Sequence, residues 1–302
     1  MEFLKFLESI RTPFLDTAFS FITRFGEETI AIVVLCAIFW CISKRVAYGI
    51  GVAYFLSGLT VQGMKICFRI DRPWEIDPSF KAVPSAIKHA TGYSFPSGHT
   101  QSSTALLGSL GIQIKNLPVK IICFTLVFLV AFSRMYLGVH TPFDVIVSFL
   151  VSMALVVLAV KFFTGEKVYK KRQLILSLIL ILYAAIVIAL AMGLYSTGKI
   201  EEKYLSDCLK AAGAGIGFAV GMFFERVYIN FSVNAKNYLF QALKFILGVA
   251  GVLAIKEGLK LVIGTGLAVD TVRYFLMLIW MTVLFPLIIK RFFASSGSLK
   301  KE

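Results

Sequence analysis

Residues 172–195 read RQLILSLILILYAAIVIALAMGLY, a run without a charged side chain after its first residue. A helix needs about 20 apolar residues to cross the hydrocarbon core of a bilayer, so this run is long enough for one crossing. The composition of the 302-residue chain points the same way: 58% of its residues are hydrophobic, 16% are charged and the mean hydropathy is +0.82. Soluble domains carry about 25% charged residues. We therefore predict an all-α, polytopic transmembrane helix bundle.

Nine apolar runs are candidate spans, although the first and third are short or contain polar residues. They cover 29–44, 46–67, 99–115, 117–136, 141–163, 172–195, 206–225, 238–256 and 271–290. Residues 1–28 contain charges at short intervals, which leaves no apolar run for a cleavable signal peptide. We predict that they form two amphipathic surface helices that break near Thr12-Pro13. A basic linker at 164–172 separates residues 29–165 from an additional transmembrane region, 172–293, of unknown role.

The net charge of +14 could indicate a nucleic-acid partner. However, the basic residues lie at the ends of the apolar runs rather than in one patch, which is typical of membrane proteins and argues against nucleic acid. The junctions predicted to share one side of the membrane hold 16 of the 31 lysines and arginines. The other side holds 15, or 12 without the candidate site cations Lys65, Arg72 and Arg134, and this bias predicts that the first group is cytoplasmic. The long loop from 68 to 98 then faces outward. The cysteines match no zinc motif, and we predict no disulfide, no metal site and no cofactor.

Three polar clusters lie at the ends of predicted spans, where ionisable groups are costly and tend to be functional. They read KICFRIDRP (Lys65–Pro73), YSFPSGH (Tyr93–His99) and SRMYLGVHTPFD (Ser133–Asp144). If the spans alternate in direction, all three clusters end on the same side of the membrane. The sequence therefore predicts that they form one site.

The clusters supply groups that suit phosphate. Lys65, Arg72 and Arg134 are three cations, and two of them carry guanidinium groups that match phosphate oxygens. Ser97 and Gly98 stand at the start of a predicted helix, where free N–H groups and the helix dipole favour an anion. These five residues are the candidate phosphate-binding set.

Two of the three histidines fall inside the clusters. His140 and Asp144 are four residues apart, so on a helix they share a face, and the carboxylate can orient the imidazole. His99 is a second imidazole that can transfer a proton near neutral pH. The third histidine, His89, has no partner in the sequence and receives no role. An oriented nucleophile, a separate acid and an anion site together indicate cleavage of a phosphate ester.

Each feature taken singly also has a purely structural interpretation. The three cations could be side chains that reach from a span to the membrane interface. Pro96-Ser97-Gly98 could be a turn before a helix, and His140 and Asp144 could form a local hydrogen bond. The catalytic interpretation is favoured because the features occur together.

The three clusters resemble the three-part signature of the type 2 phosphatidic acid phosphatase superfamily. The signature reads Lys-x6-Arg-Pro, Pro-Ser-Gly-His and Ser-Arg-x5-His-x3-Asp, and this chain matches every signature position. The resemblance covers roughly residues 1–165, including Arg11–Asp16, a stretch typical of bacterial members. It implies that 29–165 is a membrane phosphatase core. Simple bacterial members have fewer spans, so residues 172–293 are a departure from their architecture.

The resemblance also implies a role for each signature residue. His140 is the nucleophile, Asp144 orients it, and His99 protonates the leaving group. The remaining residues bind phosphate, and no metal takes part: Lys65, Arg72, Ser97, Gly98 and Arg134.

Three functions are consistent with these observations. The first is a lipid phosphatase for phosphatidic acid, phosphatidylglycerol phosphate or a polyprenyl diphosphate, acting through a phosphohistidine in the bacterial plasma membrane, with its site on the extracytoplasmic side. The second is a lipid phosphotransferase or sugar-phosphate phosphatase with the same site. The third is a transporter whose charges line an ion path. A transporter predicts charges spread along several spans, whereas here they gather at one end.

Three glycines in the additional region, Gly213, Gly217 and Gly221, fall four residues apart. This spacing lets another helix approach closely. Packing within the chain is one interpretation, and a homo-oligomer through this helix is the other. The predicted partners are therefore a lipid phosphate substrate, membrane lipids and a second copy of the chain.

Overall fold

A computed structural model of the protein describes residues 1–88, 90–164 and 170–293. Within these ranges the chain is helical and contains no β-strand, which confirms the predicted all-α class. Its main helices are α1 (Glu2–Ser9), α2 (Pro13–Ile22), α3 (Glu28–Ile42), α4 (Lys44–Phe68), α5 (98–113), α6 (Leu117–Tyr136), α7 (Pro142–Thr164), α8 (Lys170–Ser196), α9 (Glu202–Ile229), α10 (Tyr238–Ile263) and α11 (Leu267–Phe293). Two single-turn helices, Pro73–Ile76 and Pro84–Ile87, lie between α4 and α5. His89 and the centre of the predicted linker, 165–169, lie outside the described residues.

Seven helices in the described part of the chain, α4 and α6 to α11, are long and apolar enough to cross a membrane. The number is eight if α2 and α3, which meet with a bend of 52°, make one broken span. The prediction of nine spans is not confirmed. The difference arises at the short first and third candidates, because α3 and α5 do not reach the roughly 20 residues that a crossing needs.

The N-terminal segment forms two helices, α1 and α2, that are separated near Thr12-Pro13, and their position at the membrane surface stays a prediction. The Thr12 hydroxyl accepts a hydrogen bond from the Leu15 amide at 3.3 Å, and Pro13 opens α2, where a missing N–H costs nothing. The Tyr136 hydroxyl on α6 donates to Asp16 at 3.1 Å. α2 then continues into a 3₁₀ turn, Thr23–Gly26, which packs against α5 and α6. The segment is therefore joined to the helices that carry the polar clusters.

α4 lies at the centre of the bundle and packs against α7, α8 and α9. Small residues allow this approach: a Cβ added to Gly51 on α4 would overlap the ring of Phe218 on α9. The indole N–H of Trp40 on α3 donates to the Met281 carbonyl on α11 at 3.0 Å. One continuous apolar core thus joins the first half to the additional transmembrane region.

The glycine-lined face of α9 is covered by α11 of the same chain. A Cβ on Gly217 would lie 2.6 Å from the Phe275 carbonyl oxygen, and Cβ atoms on Gly213 and Gly221 would overlap α11 as well. Backbone contact at this distance leaves no room for a helix of a second copy. Gly213, Gly217 and Gly221 therefore serve packing within the chain, the first of the two interpretations, and a homo-oligomer stays a prediction.

Candidate active site

The first polar cluster forms where α4 ends. Arg69 adopts a left-handed conformation with φ of 51°, and its N–H bonds to the Lys65 carbonyl at 2.9 Å, which closes the helix. The chain is then extended at Arg72, whose Nε donates to the Gly92 carbonyl at 2.8 Å. The Lys65 ammonium donates to the Tyr93 carbonyl. Two cations of the first cluster thus donate hydrogen bonds to backbone carbonyls just before α5.

The third cluster lies in the tight turn between α6 and α7. Gly138 has φ of 77°, a conformation that strains other residues. The Asp144 carboxylate accepts hydrogen bonds at one oxygen from the Thr141 amide at 2.8 Å and the Ser94 hydroxyl at 2.6 Å. The same oxygen lies 3.5 Å from Nδ1 of His140. Asp144 is therefore fixed by two donors, with the imidazole of His140 beside it.

The opposite ring nitrogen of His140 faces Arg72. Nη1 of Arg72 lies 2.9 Å from Nε2 of His140 and also donates to the Val139 carbonyl at 2.8 Å. Nη1 of Arg72 is also 3.5 Å from Nδ1 of the same ring. A guanidinium can only donate, so the shorter contact, at Nε2, favours the tautomer in which Nε2 carries no proton and the ring proton is on Nδ1, 3.5 Å from Asp144. In this tautomer Nε2 keeps a lone pair beside a cation that suits phosphate.

Burial and the neighbouring positive charges favour the neutral form of His140. Its side chain is only 2% exposed, and burial is the main cause that holds the pKa of His140 well below its usual range. The positive charges of Arg72, Arg134 and Lys65 lower this pKa further. A neutral imidazole retains the lone pair that a nucleophile requires.

Arg134 is the most enclosed of the three cations, with 1% of its surface exposed. Its Nη1 donates to the hydroxyl of Thr23 at 2.7 Å. Its Nε is buried and has no hydrogen-bond partner among the described residues. An unpaired buried donor costs about 1–3 kcal/mol, and more when it is charged. This orphaned N–H is therefore suited to an oxygen of a bound anion.

The second cluster opens α5. The fully buried Ser97 hydroxyl accepts hydrogen bonds from the Thr100 amide at 3.4 Å and the Thr100 hydroxyl at 3.0 Å, which caps the helix. A Cβ added to Gly98 would meet no atom within 4 Å, so the space in front of this N-terminus is open. His99 follows and is less buried than His140.

The 3₁₀ turn of the N-terminal segment packs directly against the backbone of His99. A Cβ on Gly26 would lie 2.8 Å from the His99 carbonyl oxygen and 2.9 Å from its Cβ, so only glycine permits this contact. Burial, and then the positive charges of Arg134 and Arg72, hold the pKa of His99 well below its usual range. His99 therefore belongs to the same group of charges as His140.

The structure thus brings together all eight residues selected from the sequence: Lys65, Arg72, Ser97, Gly98, His99, Arg134, His140 and Asp144. It adds Thr23, Gly26 and Ser94, which sequence reasoning missed. Ser94 lies inside the second cluster, and its position two residues before Pro96 was its only signal. Thr23 and Gly26 belong to no motif, and their proximity to the site becomes visible only in the fold.

Comparison with known proteins identifies the class. Residues 46–168 match the PAP2 superfamily, and residues 209–297 match the transmembrane extension of PAP2 superfamily phosphatases. The chain is therefore an integral membrane protein in which a PAP2 superfamily domain is followed by that extension. The family resemblance carried by the three clusters is confirmed.

Individual relatives cover part of the chain. A probable sphingosine-1-phosphate phosphatase from Dictyostelium discoideum is 29% identical over 164 residues, which is 49% of this chain and 38% of that protein. Phosphatidylglycerophosphatase B of Bacillus subtilis is 27% identical over 182 residues, 54% of this chain and 82% of that protein. A crystal structure of a transmembrane PAP2 type phosphatidylglycerolphosphate phosphatase from Bacillus subtilis covers 56% of this chain and 86% of its own, with 24% identity and a TM-score of 0.47.

Proposed function

We propose that this protein is a membrane phosphatase that hydrolyses lipid phosphates through a phosphohistidine at His140. The observation that carries the proposal is the alignment of three side chains. The Asp144 carboxylate lies 3.5 Å from Nδ1 of the His140 imidazole, and Nη1 of Arg72 lies 2.9 Å from Nε2 and 3.5 Å from Nδ1. A phosphate bound to Arg72 would present its phosphorus to the lone pair of Nε2.

In the first step, Nε2 of His140 attacks the phosphorus and forms a P–N bond while the ester P–O bond breaks. The electron pair of that bond goes to the leaving oxygen, which takes a proton from His99. The negative charge of the bound phosphate offsets Arg134 and Arg72 and so favours the protonated form of His99 that this step requires. The imidazole becomes positively charged as it is phosphorylated, and Asp144 stabilises that charge. Arg72, Arg134, Lys65 and the α5 N-terminus bind the phosphoryl oxygens, whose charge they balance.

In the second step, His99 accepts a proton from water, and the resulting hydroxide attacks the phosphorus. The P–N bond breaks, its electron pair returns to Nε2, and inorganic phosphate leaves. His99 is protonated again and His140 is neutral again, so the cycle closes without another reactant. Among the described residues, no three side chains of His, Cys, Asp or Glu are grouped as a metal site requires. We therefore propose that this chemistry is metal-independent.

The substrate class follows from the position of the site. The cations gather where α4, α6 and α7 begin or end, so a lipid can present its headgroup while its tails stay at membrane depth. Both relatives are named as phosphatases of lipid phosphates. We infer phosphatidic acid, phosphatidylglycerol phosphate or a polyprenyl diphosphate as substrate. We also infer a bacterial plasma membrane with the site on its outer face, and a division into core and extension at residues 165–172.

The test is phosphate release by the purified full chain from a panel of lipid phosphates. Release of inorganic phosphate supports hydrolysis. Phosphate that appears on an added alcohol, with no inorganic phosphate, would instead identify a phosphotransferase. No turnover of any lipid, alkyl or sugar phosphate would overturn the proposal.

A further inference from the structure

The additional transmembrane region forms one wall of a cavity that begins at the site. This cavity has a volume of about 490 Å³, within the usual range for small-ligand pockets. Gly98 and His99 line it from the core. Residues from α9 and α11 line the other wall, among them Asp207, Lys210, Ala214, Met277 and Met281.

The cavity lies on the leaving-group side of the site. In phosphoryl transfer, the attacking and leaving atoms lie roughly in line on opposite sides of the phosphorus. His99, the proposed acid for the leaving oxygen, lines the cavity, whereas His140 does not. A leaving group that takes its proton from His99 therefore extends into this space.

The wall nearest the site is polar and belongs to α9. Tyr204 stacks on Tyr93 with ring centroids 3.8 Å apart, which places the start of α9 beside the Lys65 ammonium. A Cβ on Gly92 would lie 3.9 Å from the Asp207 carboxylate and 4.0 Å from that ammonium. The segment of a leaving group next to the ester oxygen would therefore meet charged side chains.

The cavity becomes apolar along α11. Lys210 lies 3.6 Å from Asp270, which marks the polar end of that helix. Met277 and Met281 lie further along the same helix, the latter about 16 Å beyond Asp270 at about 1.5 Å per residue. Both are 2% exposed or less. The far end of the cavity thus offers buried thioether side chains that adapt to an apolar chain.

We propose that α9 and α11 build the pocket for the leaving group, and that this group is an amphiphile with a polar segment near the ester oxygen and an apolar chain beyond it. The chain lies inside the protein, between the core and the extension, and not in the surrounding lipid. This inference rests on the proposed phosphatase function and assigns a task to the extension.

The first experiment compares Met277→Trp with Leu276→Trp, using water-soluble alkyl phosphates from methyl to octyl phosphate. Met277 lines the cavity, whereas its neighbour Leu276 is 38% exposed and lies outside it. For the unmodified protein, kcat/KM should rise by up to about fourfold per methylene, as expected for burial of an apolar chain. Met277→Trp should abolish this rise, so that kcat/KM no longer depends on chain length. Leu276→Trp should retain the rise.

A second variant and a second measurement cover a failure of Met277→Trp to fold. Ala214→Leu adds bulk from the α9 wall and should also shorten the preferred chain. A hexadecyl phosphonate with a photoreactive diazirine at its chain end, in vesicles with the unmodified protein, should label α9 or α11 near Ala214, Met277 or Met281.

The outcomes separate the two proposals. If the unmodified protein turns over no phosphate ester, the phosphatase function fails. If it turns over methyl phosphate but shows no dependence on chain length, or if both lining variants retain that dependence, the pocket assignment is wrong. Labelling of the exposed Phe143 on α7 instead of α9 and α11 would also overturn it.

Discussion

The core and the extension of this bundle contact the same cavity with different chemistry. In the core, side chains far apart in sequence are joined by hydrogen bonds, as between Ser94 and Asp144 and between Thr23 and Arg134. In the extension, α9 and α11 meet along most of their length through glycines and backbone, and the ion pairs of Lys210 with Asp207 and Asp270 lie at one end of that interface. The hydrogen bonds of the core hold the reacting side chains in place, whereas the packed wall of the extension determines the shape of the cavity. Variants of the core should therefore affect every substrate, and variants of the extension should affect substrates by their chain.

The largest effect is expected for His140→Ala. Without the imidazole there is no nucleophile, and turnover of every phosphate ester should fall by about 10⁶-fold, as when a nucleophile is removed from other enzymes with covalent intermediates. The measurement is steady-state release of inorganic phosphate. His89→Ala, which removes the histidine without an assigned role, is the control and should retain full activity. Appreciable turnover by His140→Ala would place the nucleophile elsewhere.

Asp144→Asn should lower kcat by about 10⁴-fold, because a neutral amide neither selects the Nδ1 tautomer nor stabilises the phosphorylated ring. The fold should persist, since the amide keeps an oxygen for the Ser94 and Thr141 donors. Thermal unfolding of the purified variant checks this. Asp77→Asn, which removes the partner of Lys5 at 2.8 Å away from the site, is the matched control. An equal loss in both variants would contradict the orienting role.

His99→Ala should slow the hydrolysis of alkyl phosphates by about 10³-fold, because the leaving alkoxide then departs without a proton. Phenyl phosphates with electron-withdrawing substituents need little protonation. For these phenyl phosphates, the loss of rate in His99→Ala should become smaller as the leaving phenol becomes more acidic. His140→Ala should show no such recovery. Equal losses of His99→Ala on good and poor leaving groups would exclude the acid role.

Thr23→Val should reduce kcat/KM by about tenfold, since it removes a hydrogen bond to the buried Arg134 guanidinium. This variant tests whether the N-terminal segment belongs to the site. Thr17→Val is its control, because the Thr17 hydroxyl bonds only to the Pro13 carbonyl of its own helix at 2.8 Å. Unchanged activity of Thr23→Val would limit the N-terminal segment to packing.

The smallest effect is expected from metal removal. Treatment with a chelator should leave phosphate release unchanged. The cations that would balance phosphate charge are the side chains Lys65, Arg72 and Arg134 rather than a bound ion. Loss of activity that an added divalent ion restores would contradict a metal-independent mechanism.

The sequence predicted the fold class and the members of the polar clusters, because ionisable residues among apolar runs are conspicuous. It did not predict Thr23 or Gly26, since they act through contacts with Arg134 and His99 that chain order does not reveal. It overestimated the spans, because polar residues near α3 and α5 obscure where those helices end. The sequence also did not show which helix packs on the glycine-lined face of α9, because the spacing of Gly213, Gly217 and Gly221 fits a helix of the same chain or of another chain.

The residues that line the cavity were even harder to identify from the sequence. Asp207 and Met277 carry no motif, and they line the same cavity as His99 because α9 packs against α4 and α11 packs against α9. Pattern reasoning therefore located the residues for chemistry but not the wall that would select a substrate.

The central claim is a covalent phosphohistidine at His140, and rapid-quench trapping tests it most directly. The protein is mixed with a ³²P-labelled lipid phosphate, stopped with alkali within one turnover and examined for acid-labile, alkali-stable phosphate. The account predicts one labelled peptide containing His140, increased labelling in His99→Ala with an activated phenyl phosphate, and no labelling in His140→Ala. Labelled phosphate on the His140→Ala protein, or rapid turnover of the unmodified protein without any trapped phosphate, would contradict it.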